Sequence, residues 1–187
     1  VTTGTDIVAT LEGTDLSFSA PTDFNGTENF TVSVTDGDLT DSQVLTVTIV
    51  AVNDAPIAST DLSGETSEGV SIAIQLSASD VDGDNLTYSL LSDATNGSIT
   101  IEGQLATYTP TDYYYGADEF TFQVSDGELT DNASVSLFVN AVNDAPVLAA
   151  LDNVSFDEDS SESVTLSATD IDGDDLTYSV TTGTDIV

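Results

Sequence analysis

Three motifs return along this chain at one fixed interval. VNDAP at 52–56 reappears at 142–146, DVDGDNLTYS at 80–89 as DIDGDDLTYS at 170–179, and FTVSVTDGDLTD at 30–41 as FTFQVSDGELTD at 120–131, each 90 residues further on. A repeat of that length is domain-sized, so the chain reads as part of a tandem array of units that each bury a core and touch their neighbours. The register divides it into residues 53–142, one complete repeat, flanked by 1–52, the back part of a repeat, and 143–187, the front part of another. Laid end to end, the last piece followed by the first makes one whole repeat. The octapeptide VTTGTDIV also occurs twice, at 1–8 and 180–187. It is read either as the mark of a longer copied unit of 179 residues or as a chance match of Thr/Gly-rich sequence.

Within each unit the apolar residues alternate. Phe30, Val32 and Val34, then Ile72, Ile74 and Leu76, then Phe120, Phe122 and Val124, then Val135, Leu137 and Val139 each occupy every second position. Side chains two apart share one face of a β-strand, and no window shows a helical stripe. The runs are bounded by Asp-Gly, Asn-Gly and Gly-Asp turn signals. About seven short strands per unit are expected, arranged as a Greek-key β-sandwich; the fold class is all-β, tandem and immunoglobulin-like. Pro56 and Pro146 follow the VNDA segments, where a missing N–H is tolerated at the start of an edge strand.

Charge narrows the function. The chain has 34 Asp and Glu and no Lys, Arg, His or Cys, for a formal net charge of −34. No side-chain salt bridge is possible, so a buried carboxylate must be protonated, hydrogen-bonded or bound to an imported cation. Nucleic acid and anionic membrane surfaces are repelled, which leaves dissolved cations as the natural partners. Thiol chemistry is excluded, and no apolar run is long enough to insert into a membrane. With a carboxylate pair as the only conceivable catalytic machinery, and the acids in open turns, the chain is expected not to be an enzyme.

The acids gather at turns. Asp80-x-Asp82-Gly83-Asp84 and its copy Asp170-x-Asp172-Gly173-Asp174 set alternate carboxylates in a tight bend, where they converge on one point. Hard oxygen donors in that number suit Ca²⁺, which takes six to eight. An EF-hand is disfavoured: Gly83 stands at the fourth position of the loop and Leu91 where the closing Glu belongs. An acidic Asx-turn is the structural alternative. Asp36-Gly37 and Asp126-Gly127 read as metal ligands or hairpin turns, with Asp126 expected to serve as both.

The order acidic Glu, DxD…LTYS, an aromatic alternating strand closed by a DG turn, then VNDAP resembles a cadherin repeat. It is similar above all to the cadherin-like tandem repeats of giant bacterial surface adhesins and extracellular repeat fibres, over the whole chain. The resemblance implies Ca²⁺ at each junction between repeats. The first junction would use Asn53, Asp54, Asp80, Asp82 and Asp126; the second would use Glu68, Asn143, Asp144, Asp170 and Asp172. Glu158 matches Glu68, and Asp23 and Asp112 stand where the family carries an Asp-Arg-Glu segment that this chain lacks.

The implied function is a Ca²⁺-rigidified structural module of a secreted, extracellular or cell-surface filament or adhesin stalk. Its partners would be neighbouring repeats of one long chain or identical subunits joined head to tail. The alternative is a lectin-like or protein-binding adhesion module, with cell-surface or glycan contact. Tyr113, Tyr114 and Tyr115 are read as a sticky loop or as packing against the next repeat. Asn25, Asn85 and Asn132 lie in glycosylation sequons that so Thr- and Ser-rich a chain also produces by chance.

Overall fold

The structure, a computed structural model, describes residues 4–181 and Gly183. Parts of both VTTGTDIV copies therefore lie outside the described residues. All regular structure among them is β, and no helix is long and apolar enough to cross a membrane. Four strands come first: β1 (Val8–Glu12), β2 (Asp15–Ser19), β3 (Gly26–Thr35) and β4 (Thr40–Ile49). Nine follow: β5 (Ile57–Ala58), β6 (Leu62–Ser67), β7 (Ile72–Gln75), β8 (Ala78–Ser79), β9 (Thr87–Ser92), β10 (Gly97–Glu102), β11 (Leu105–Pro110), β12 (Gly116–Ser125) and β13 (Thr130–Asn140). Two short ones end the series, β14 (Val147–Leu148) and β15 (Ala168–Thr169). Pro56 and Pro146 directly precede β5 and β14, as their missing donors require.

In the middle segment β6-β13-β12-β9 form one sheet and β10-β11-β7 another, with β5 paired to β8. All these pairs are antiparallel except β6 on β13. Alternation in the sequence becomes a one-sided core: Phe120, Phe122 and Val124 of β12 and Val135 and Val139 of β13 turn one face inward, against Leu76 and Tyr108. Burial of each such side chain contributes about 1.5–3 kcal/mol, an upper estimate because the unfolded chain already buries some of it.

The first four strands repeat this geometry without its partners. β3 and β4 pair from Gly26↔Ile49 to Thr35↔Thr40, and β12 and β13 pair from Gly116↔Val139 to Ser125↔Thr130, the same register 90 residues on. Among the described residues there, Ile7, Ala9 and Phe30 form a small buried core. β14 and β15 likewise reproduce β5 and β8.

One acid is used structurally. Asp118 accepts from the N–H groups of Thr95, Asn96 and Glu119 and from the Tyr108 hydroxyl at 3.0 Å, tying the loop before β10 to the core. Ninety residues earlier Glu28 accepts from Asp6 N at 2.8 Å, but Phe18 stands in place of the tyrosine and Glu28 Oε2 is buried without a partner.

Candidate metal centre

The loop between β8 and β9 is built by its first acid. Asp80 Oδ1 accepts from the backbone N–H groups of Asp82, Gly83 and Asp84 at 2.9, 3.0 and 3.3 Å. Gly83 closes the bend at φ 81°, a left-handed conformation that glycine adopts without strain. With Oδ1 committed to the turn, Asp80 Oδ2 is left buried with no hydrogen-bond partner. One carboxylate oxygen from each of Asp80, Asp82 and Asp84 lies within 4.8 Å of the others. The Asx-turn and the carboxylate cluster are therefore one and the same structure.

The linker closes over this loop. Asp54 N donates to Asp82 Oδ2 at 2.8 Å, and Asn53 Nδ2 donates to Asp126 Oδ2 at 2.9 Å. Burial, and then the charges of Asp23, Asp82 and Asp80, push the Asp54 carboxyl above the usual carboxylate range. Asp23 comes from the β2–β3 loop, so acids from three stretches of chain meet at the first junction. Asp126 Oδ1 accepts from Glu128 N and Leu129 N, both at 2.7 Å. Those two bonds and the Asn53 amide hold the Asp126 carboxyl below its ordinary value. Asp126 is thus a hairpin cap whose second oxygen anchors the linker. Asp36 caps the β3–β4 hairpin in the same way, through Leu39 N and Asp38 N, which lower its pKa, and it stands in an exposed turn.

The second junction copies part of the first. Asp144 N donates to Asp172 Oδ2 at 2.7 Å, and Asp170 Oδ1 accepts from Asp172 N and Asp174 N at 3.0 and 3.3 Å. Glu68, whose Oε1 accepts from Val142 N at 3.3 Å, lines one cleft with Asp112, Tyr113 and Asp144. Asn143 differs from Asn53: its amide turns back to the Asp144 carbonyl. Glu158 lies in an exposed turn.

The 90-residue period aligns Asp23 with Tyr113, and both occupy the left-handed region, at φ 60° and 62°. The second junction thus has a phenol where the first has a carboxylate, with an acid one residue earlier.

An all-oxygen donor set around a buried, unpartnered carboxylate oxygen fits a hard divalent cation. It gives such an ion both a charge to neutralise and an acceptor that nothing else satisfies.

Residues 53–138 match the family model described as "Bacterial Ig domain". Over 116 residues, 59% of this chain, the sequence is 33% identical to "Chitinase A" of Pseudoalteromonas piscicida, and the match spans 14% of that protein's length. Among solved structures the chain is similar to human protocadherin-24 EC1-2, at 14% identity and a TM-score of 0.50, covering 72% of this chain and 81% of that one. Drosophila N-cadherin EC1-4 aligns at 17% identity and a TM-score of 0.44, over 74% of this chain and 37% of that one. The endo-fucoidan hydrolase MfFcnA4 aligns at 17% identity and a TM-score of 0.39, over 76% of this chain and 23% of that one. The described residues are all-β, with a fold like that of immunoglobulin domains and cadherin repeats.

Proposed function

We propose that this chain is a structural repeat module of an extracellular or surface-attached rod, and that Ca²⁺ at its junctions sets the angle between successive repeats. The observation that carries this reading is Asp80 Oδ2, a buried carboxylate oxygen without a partner. It stands among Asp82 and Asp84 and beside a linker whose own acid, Asp54, is held above the usual carboxylate range by burial and then by its acidic neighbours. Asp80, Asp82 and Asp84, with Asp54 and Asp23, would hold an ion at the first junction. Asp170, Asp172 and Asp174, with Asp144, Glu68 and Asp112, would do so at the second. Bound there, Ca²⁺ supplies positive charge that the chain itself lacks.

Without the ion the carboxylates repel and the linker is free to bend. With it, linker and both flanking units share one centre, and the domain division at 53–142 becomes a rod segment. Modules of this kind bind with dissociation constants of about 10⁻⁴–10⁻³ M, so the junctions would fill outside a cell and empty in the cytosol. Melting in Ca²⁺ and in chelator, together with small-angle scattering, tests it. A higher melting temperature and a narrower range of maximum dimension are expected with Ca²⁺. Identical melting and identical scattering in both buffers would remove the metal from the account.

The match to a chitinase favours a second reading, in which such modules space the parts of a secreted polysaccharide-degrading enzyme. Retention of the isolated chain on chitin would turn the account toward a glycan-binding module.

A further inference from the structure

The alternation that turns Phe120, Phe122 and Val124 inward gives β6, β13 and β12 a second face, turned to solvent. Phe138 stands on that face and is 50% exposed. Its partners in the two ladders are Ala117 of β12 and Glu65 of β6. Paired residues share a face of the sheet, so the Glu65 carboxylate lies beside the ring on one side. On the other side Ser136 pairs with Glu119. That sets Glu119 diagonal to Phe138, at about 7–8 Å and within reach of both side chains. Tyr115, 59% exposed, immediately precedes β12 at the same end of the sheet. Glu65 is held in place: its Oε1 accepts from Asn140 Nδ2 at 3.0 Å, and the same amide donates to the Thr66 carbonyl at 3.0 Å.

The first four strands supply a comparison within the same chain. The 90-residue period places Asn25, Asn29 and Thr48 where the middle unit has Tyr115, Glu119 and Phe138. There the face is closed on itself. Thr46 Oγ1 donates to Asn29 Oδ1 at 2.7 Å, and the Thr27 and Thr48 hydroxyls meet at 3.1 Å. The strand pair keeps the same register with neutral polar groups at all three places, so folding requires neither the rings nor the acid. A following unit does not cover this face either. At the first junction, where the middle unit follows in full, Asn25 and Thr48 remain exposed.

Carboxylates on both sides of an exposed ring accept hydrogen bonds and offer no donor, and the face of the ring is itself negative. A guanidinium satisfies both, stacking on the ring while its N–H groups reach the acids. We propose that the face around Phe138, with Glu65, Glu119 and Tyr115, docks an arginine-bearing segment of a basic partner protein. The chain has no Lys, Arg or His, so a second copy has no cationic side chain to offer. The net charge of −34 attracts a basic partner and repels an acidic one. Arginine is favoured over lysine because its planar group both stacks and donates in a fork. None of these four residues is among the acids assigned to the junctions, so the inference goes beyond the calcium reading and does not depend on it.

The test titrates the full chain, in chelator, with a labelled peptide that alternates Arg with Gly. A Lys–Gly peptide of equal charge and a neutral chito-oligosaccharide serve as the other probes. Fluorescence anisotropy should show the arginine peptide bound more tightly than the lysine peptide. Phe138→Thr should weaken it about two- to fivefold, and Tyr115→Asn/Glu119→Asn/Phe138→Thr, which installs the first strands' own residues, at least about tenfold. Glu102→Gln removes a charge from an exposed position on the other sheet and should leave binding unchanged. Backbone amide shifts should centre on Glu65, Glu119 and Phe138. The replaced rings are exposed and their substitutes already fit the same strand pair, so melting should match wild type.

The inference is overturned if the triple variant binds the arginine peptide as wild type does, or if the lysine peptide binds equally well, since net charge alone would then suffice. Shifts centred on the 80–84 loop would overturn it too, by moving the peptide to the junction acids. Binding of the chito-oligosaccharide at Phe138 without binding of the arginine peptide would make the face a glycan surface instead.

Discussion

Asp80→Asn separates the two roles that one side chain performs. The amide keeps an acceptor oxygen for the three N–H groups of the turn, so the loop itself survives. It removes one charge from a cluster whose donor atoms lie within 4.8 Å of one another. At that separation each carboxylate pair costs about 1 kcal/mol in water before salt screening. In chelator the variant should therefore melt at or above wild type. In Ca²⁺ the order reverses. At about 10 mM the ion stands at roughly 10–100 times a dissociation constant of about 10⁻⁴–10⁻³ M, which adds about 1.4–2.7 kcal/mol to any state that binds it alone. A unit of this size gains about 4–8 °C per kcal/mol, so wild type should rise by about 6–20 °C and the variant by a small fraction of that. Calorimetry at constant ionic strength, with Mg²⁺ as a control, reads both orders directly. Equal gains for wild type and variant would refute the reasoning, because the buried oxygen would then have no part in binding.

Other substitutions probe the scaffold. A Cβ at Gly97 would lie 2.2 Å from the Tyr108 ring and 2.7 Å from the Thr109 carbonyl, so Gly97→Ala should cost about 1–3 kcal/mol or more in chemical denaturation. Tyr108→Phe withdraws one donor from Asp118 and should cost about 1 kcal/mol, the arrangement that Phe18 already shows in the first strands. Burial, reinforced by the Asp118 bond, raises the Tyr108 phenol well above its ordinary value. Its contribution is full below about pH 10 and lost as pH rises further, so the wild-type melting temperature should fall there more steeply than that of Tyr108→Phe. Asp126 has a folded pKa below the ordinary value, so its contribution is full above about pH 4 and lost as pH drops through the lower folded value. Asp126→Asn should flatten that acid limb of a melting curve taken against pH.

Much of this was legible in the sequence, for physical reasons. Alternation is a local property with a period of two, so Phe120, Phe122 and Val124 announced both their strand and its inner face. The DxDGD loop was legible because its Asx-turn is closed within five residues, by bonds from Asp80 to its own near neighbours. The Asp118 hub was not, because its partners lie up to 23 residues away and are brought together only when the sandwich closes. The period aligns Asp23 with Tyr113, but the left-handed backbone they share could not be read from residue type, since a carboxylate and a phenol both adopt it. Nor does sequence reveal that Asn53 reaches across to Asp126 while Asn143 folds back on its own linker.

The central claim concerns an ion, and calorimetric titration of the full chain with Ca²⁺ tests it most directly. The account predicts saturable uptake at the two junctions with dissociation constants of about 10⁻⁴–10⁻³ M. Asp80→Asn should lose uptake at the first junction while the second is retained. Absence of saturable binding up to about 10 mM Ca²⁺, well above that range, would contradict it.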